Sequence, residues 1–173
     1  MEGTIMKTKN RALIHTIIIS LFISFFVTVN TYADEYEALN GLDTIKVVFD
    51  VRAGKAKSAA IQLDLARQTF KDTNIRKVTA TPEFAVVFAG PATKLVSTNT
   101  EKFTPEEKVH LEQIAKTIAA MAEDGIKLEI CMFAAKLFGV EPATVLPEIK
   151  QIGNGWISLI GYQAKGYALV AIY

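Results

Sequence analysis

The only cysteine of this 173-residue chain, Cys131, stands where a strand pattern changes into a helix pattern. Apolar residues alternate from Ile126 to Ile130, which is the period of a β-strand. Residues 134–138 favour helix, and Gly139 is typical of a helix C-terminus. The thiol is therefore predicted to lie at the carboxyl end of a strand and beside a helix start, where exposed amides and the helix dipole favour a thiolate.

Three roles for Cys131 follow from its residue type. It could be a reactive thiol, a buried structural residue, or a redox sensor that forms a disulfide between two subunits. An internal disulfide is excluded because the chain has no second cysteine. Glu129 is expected on the same face of the strand, where its negative charge would oppose a thiolate. The sequence leaves the three roles open.

Further residues that could bind a ligand fall at the ends of other predicted strands. Asp50 and Arg52 end the first strand, Gly90 follows the second, and Asn154 and Trp156 follow the fourth. Because the carboxyl ends of parallel strands meet at one edge of a sheet, these residues are predicted to form a ligand-binding set around Cys131.

Each member of this set also has a structural interpretation. Arg52 could hold an anionic group or support the thiolate, or it could be a solvated loop residue paired with Asp50. Gly90 and Gly155 could let the backbone approach a ligand, or they could serve turn geometry alone. Trp156 could form a pocket wall, or it could belong to the core or to a subunit contact.

Several classes of chemistry are not supported by the composition. The net charge of +1 gives no electrostatic signal for nucleic acid. His110 is the only histidine after residue 33 and is expected on a helix surface, so we predict neither a metal site nor a hydrolytic triad. No GxGxxG or Walker pattern occurs, and no cofactor is predicted.

Strand and helix patterns alternate through the rest of the chain. The irregular segment between the first helix and the second strand, 73–82, is expected to hold at most a brief extended piece at 76–78, and the last strand is predicted to be buried. This alternation predicts an α/β fold, a three-layer α/β/α sandwich on a mainly parallel five-stranded sheet. The predicted strands are 44–50, 84–89, 126–131, 148–152 and 167–172, and the predicted helices are 57–71, 105–124, 132–138 and 156–164.

The N-terminal region has the pattern of a secretory signal peptide. Basic residues at 7, 9 and 11 precede an apolar run at 12–29, and small residues near Ala33 offer a cleavage site. We therefore expect residues 1–33 to be a signal peptide and residues 34–173 to be a single periplasmic or secreted domain, with no membrane attachment after cleavage. The alternative is an uncleaved membrane anchor, since the apolar run is long for a signal peptide.

Four segments together resemble the DsrE/DsrF-like sulfur-relay family, in its exported single-domain branch. They are Lys46–Asp50, Glu83–Phe88, Asp124–Cys131 and Gly153–Trp156. The resemblance implies a parallel α/β/α fold, assembly as a homo-oligomer (a trimer or hexamer), and a cysteine that carries sulfane sulfur as a persulfide.

Carried over by position, the role of the sulfur-carrying cysteine falls on Cys131. The expected partners are sulfur donor and acceptor proteins or small thiols, and the expected function is a periplasmic sulfur carrier. The alternative is a non-enzymatic small-ligand-binding or assembly module of the same fold, in which Cys131 is structural.

Overall fold

A computed structural model describes residues 36–173, which form one compact unit. At its centre is a sheet of five parallel strands in the order β4-β3-β2-β1-β5. β2 lies in the middle, as expected for its continuous apolar sequence. The strands are β1 (Lys46–Val51), β2 (Glu83–Phe88), β3 (Lys127–Cys131), β4 (Lys150–Ile152) and β5 (Ala168–Ile172).

Five α-helices connect the strands, together with 3₁₀ turns at Glu37–Leu39, Gly90–Val96 and Pro142–Thr144. The longest helix begins with a capping box, as its sequence predicts: the Thr104 hydroxyl accepts the Glu107 amide at 3.2 Å, and the Glu107 carboxylate accepts the Thr104 amide at 2.9 Å. The helices are α1 (Ala56–Lys71), α2 (Thr73–Val78), α3 (Pro105–Glu123), α4 (Met132–Leu137) and α5 (Gly155–Ala164).

The two faces of the sheet are covered unequally. α1 and α3 pack on one face and form the main core with large side chains such as Phe84, Phe88 and Ile130. On the other face α5 contributes Leu159 to a small cluster with Val48 and Val87. The chain thus has the predicted three-layer α/β/α sandwich, with one thick layer and one thin layer.

Two local predictions are wrong. Residues 73–78 form α2, because the Asp72 side chain caps the helix by accepting the Asn74 amide at 2.7 Å. β5 is not buried: four of its five residues are exposed, because it lies at the edge of the sheet where the helices of residues 36–173 do not cover it. Of the alternatives left open for Trp156, a place in the core is excluded, since 64% of the residue is exposed.

The predicted signal peptide, residues 1–33, lies outside the described residues. Within 36–173, no helix has both the length and the apolar character needed to cross a bilayer.

Candidate functional site

Cys131 is the last residue of β3 and the N-cap of α4. Its Sγ accepts a hydrogen bond from the Ala134 amide at 3.4 Å, and the thiol lies 4.0 Å from the Gly153 carbonyl oxygen, to which it can donate. Only 6% of the residue is exposed. The sulfur therefore sits at the predicted strand-to-helix junction, with an N–H group directed at it.

A surface cleft of about 330 Å³ opens at the carboxyl edge of the sheet and includes Cys131. This size lies within the range of small-molecule sites. The structure brings together five of the six residues predicted for the site, although their functional role stays a prediction. The cleft is lined by Arg52, Ala89, Gly90, Cys131, Phe133, Ala134, Leu137, Phe138, Asn154 and Trp156.

The sixth predicted residue, Asp50, does not line the cleft, but it pairs with Arg52, which does. Its Oδ2 accepts a hydrogen bond from Arg52 Nε at 2.8 Å. Only 7% of Asp50 is exposed, and its Oδ1 has no hydrogen-bond partner among residues 36–173. The interpretation of Arg52 as partner of Asp50 and its interpretation as a cleft residue are therefore compatible.

The N-terminus of α5 packs directly on Cys131. Asn154 caps the helix by accepting the Trp156 amide at 3.0 Å. A Cβ placed on Gly155 would lie 3.0 Å from Cys131 Cβ and 3.5 Å from its Sγ. Gly155 thus serves close packing against the cysteine. Gly90 serves turn geometry, since its φ is 55° and nothing lies within 4 Å of an added Cβ.

Two residues of α5 form hydrogen bonds with Glu129. The Ser158 hydroxyl donates to one carboxylate oxygen, and the Tyr162 hydroxyl donates to the other at 3.2 Å. Burial, reinforced by the charge of Glu129, raises the pKa of Tyr162, so this phenol keeps its proton and remains a donor. The carboxylate that we expected to oppose a thiolate is held in a hydrogen-bonded network between β3 and α5.

Apart from Trp156, the apolar wall of the cleft was not among the predicted site residues. Phe133 and Leu137 are strongly exposed on α4, whereas Ala134 and Ala135 are buried. The spacing of four residues between Phe133 and Leu137 was a usable signal, because such positions share one face of a helix.

Among residues 36–173, no group of three or more His, Cys, Asp or Glu could hold a metal ion.

Comparison with known families gives a match along most of the described chain. The model of the DsrE/DsrF-like family matches residues 46–172. This range contains all five strands and every residue predicted for the site.

Individual relatives are distant. An uncharacterised protein of Aquifex aeolicus is 24% identical over 127 residues, which is 73% of this chain and 55% of the relative, so the chain spans about half of that protein.

Two solved structures share the fold. A protein of unknown function from Methanobacterium thermoautotrophicum is 12% identical with a TM-score of 0.56, over 73% of this chain and 98% of the other. The ychN protein from E. coli is 13% identical with a TM-score of 0.52, over 74% of this chain and 99% of the other.

Proposed function

Because the chain belongs to the DsrE/DsrF-like family, we propose that it is a sulfur carrier in which Cys131 holds sulfane sulfur as a persulfide. The observation that carries the proposal is the position of Sγ, which lines a cleft at the carboxyl edge of the sheet and accepts an amide hydrogen bond. An N–H donor suits a sulfur atom that carries negative charge.

The transfer needs one cysteine and no oxidant. The Cys131 thiolate attacks the outer sulfur of a donor R–S–SH, the donor's S–S bond breaks, and R–S⁻ leaves with the bonding electron pair. The product is Cys131-S-SH. An acceptor thiolate then attacks the outer sulfur, and the Cys131 thiolate is released. Each step exchanges one S–S bond for another, so the absence of a second cysteine in the sequence is no obstacle.

Intact mass spectrometry of the purified protein after exposure to polysulfide tests this function, with Cys131→Ser as the matched control. We expect one added sulfur that a reductant removes, and none on the serine variant. If no adduct forms and the folded thiol is also unreactive towards iodoacetamide, the carrier function is excluded.

A second candidate function is a non-enzymatic ligand-binding or assembly module. The low exposure of Cys131 and its packing against Ala89 and Ala134 favour it, because such contacts are typical of a structural cysteine. In that case a small ligand would raise the melting temperature of the Cys131→Ser variant as much as that of the wild type. If the protein is a carrier, the wild type instead forms a sulfur adduct and the Cys131→Ser variant does not.

The proposal includes export and self-association. We place the mature protein in the periplasm or outside the cell, which predicts an N-terminus at Asp34 when the protein is recovered from the exported fraction. We also propose that the exposed apolar side of α5, formed by Trp156, Ile157 and Ile160, packs against a second copy of the chain. The family resemblance supports a trimer or hexamer.

A further inference from the structure

The cleft combines apolar walls with a single charge. Phe133, Leu137, Phe138 and Trp156 supply most of the apolar wall, and Arg52 is the only charged residue among the lining residues. Among residues 36–173, no carboxylate lines the cleft to repel an anion. A ligand that fits it would carry an organic body for the walls and a negative group for the guanidinium.

The ion pair with the buried residue Asp50 fixes the position of Arg52. Asp50 is more than nine-tenths buried, and Arg52 is its only ion-pair partner among residues 36–173. Moving the guanidinium away would leave a buried carboxylate without compensation, which is costly. The arginine is therefore held beside the cleft and is not free to sample many rotamers.

The same ion pair leaves most of the guanidinium donors unused. Only Nε donates to Asp50, at 2.8 Å, and the two terminal NH₂ groups have no hydrogen-bond partner among residues 36–173. Terminal guanidinium donors match the two oxygens of a carboxylate. The arrangement thus offers a preorganised site for a carboxylate in the cleft that also holds Sγ.

From these contacts we infer that the sulfur donor is a small organic persulfide that carries a carboxylate group, bound by Arg52. The inference rests on the proposed function and specifies its substrate class. The recessed position of Sγ supports a small molecule over a thiol on the surface of a folded protein, because such a surface could not enter a cleft of about 330 Å³. In the transfer, the carboxylate stays on R–S⁻, which leaves as the thiolate.

Two aryl disulfides of similar shape provide the test. 5,5′-Dithiobis(2-nitrobenzoate) carries carboxylates, whereas 4,4′-dithiodipyridine is neutral, and each releases a product that is followed by its absorbance when the Cys131 thiolate breaks its S–S bond. We expect Arg52→Gln to lower the rate constant with the anionic reagent about tenfold, as for loss of a charge-assisted hydrogen bond. The rate constant with the neutral reagent should stay within about twofold.

Lys136→Gln is the matched control, because it removes one positive charge from an exposed residue of α4 that does not line the cleft. For Lys136→Gln, the ratio of the rate constant with the anionic reagent to that with the neutral reagent should equal the ratio measured for the wild type. Should Arg52→Gln not fold, the wild type still decides the question: benzoate is expected to slow its reaction with the anionic reagent, and benzyl alcohol is not.

The outcomes separate the inference from the proposed function. If the ratio is the same in wild type, Arg52→Gln and Lys136→Gln, or if benzoate gives no protection, the inference is wrong while a polysulfide adduct on Cys131 would still support a carrier. If neither reagent reacts with the folded protein, polysulfide leaves no adduct on Cys131 and iodoacetamide does not modify it, but both reagents react after unfolding, the carrier function fails and the inference fails with it.

Discussion

At the scale of single residues, the contact between Gly155 and Cys131 is the tightest constraint on the site. A Cβ at position 155 would lie 3.0 Å from Cys131 Cβ and 3.4 Å from Val87 Cγ1. We predict that Gly155→Ala lowers the free energy of unfolding by about 1–3 kcal/mol, because overpacking forces neighbouring groups to shift. Urea unfolding measures this change.

Gly161→Ala is the control for that prediction, since it makes the same substitution in the same helix with nothing within 4 Å of the added Cβ. It should leave stability unchanged or raise it by about 0.5–1 kcal/mol, because alanine favours helix over glycine. Equal stability of the two variants would contradict the role assigned to Gly155.

At the scale of elements, α5 has more apolar surface than the other elements of residues 36–173 cover. Leu159 packs on the sheet, whereas Ile157 and Ile160 lie on the exposed side. We predict that Ile160→Glu shifts the protein from an oligomer to a smaller species in analytical ultracentrifugation, because a charge in an apolar interface is costly. The control is Val109→Glu on α3, a residue of similar exposure, which should leave the mass unchanged. A monomeric wild type, or dissociation by both variants, would contradict the proposed interface.

The elements also show what sequence alone could predict. Strand periodicity and the geometry of a parallel sheet were enough to bring Arg52, Cys131 and Asn154 to one edge. The exposure of β5 could not be derived, because an apolar strand at a sheet edge has the same pattern as a central one until the strand order is known. The role of Gly155 likewise depends on how close α5 comes to β3, which is a property of the tertiary structure.

At the scale of the whole molecule, a polar network links four strands at the edge of the sheet opposite the cleft. Glu83, at the start of β2, accepts a hydrogen bond from the Tyr167 hydroxyl at 2.6 Å and pairs with Lys46 of β1 at 2.9 Å. Lys127 of β3 donates to the same hydroxyl at 3.2 Å. Tyr167 immediately precedes β5. The network therefore joins neighbouring strands near the point where each begins, and it contains no residue that lines the cleft.

This network predicts a pH dependence of stability. The hydrogen bond from Tyr167, followed by the contacts of Lys46, lowers the pKa of Glu83 from 4.5 to about 2. Between these values the unfolded chain takes up a proton that the folded protein does not. The stabilisation that the Glu83 carboxylate gives to the folded protein is therefore fully present above pH 4.5 and is lost as the pH falls towards 2. Because 43% of the Glu83 side chain is exposed, solvent screening makes the effect smaller than the pKa shift alone implies.

The matching experiment compares unfolding free energies of wild type and Glu83→Gln between pH 7 and pH 2. The wild type should be the more stable protein at pH 7, and the difference should shrink between pH 4.5 and 2, since glutamine does not titrate. Glu112→Gln, at an exposed position of α3, should show no such convergence with the wild type. A difference in unfolding free energy between wild type and Glu83→Gln that stays constant over this range would mean that the network does not stabilise the fold through the charge of Glu83.

Because no residue of the network lines the cleft, the site should not depend on it. The rate constant for the reaction of Cys131 with each aryl disulfide at pH 7 should be the same in Glu83→Gln as in the wild type.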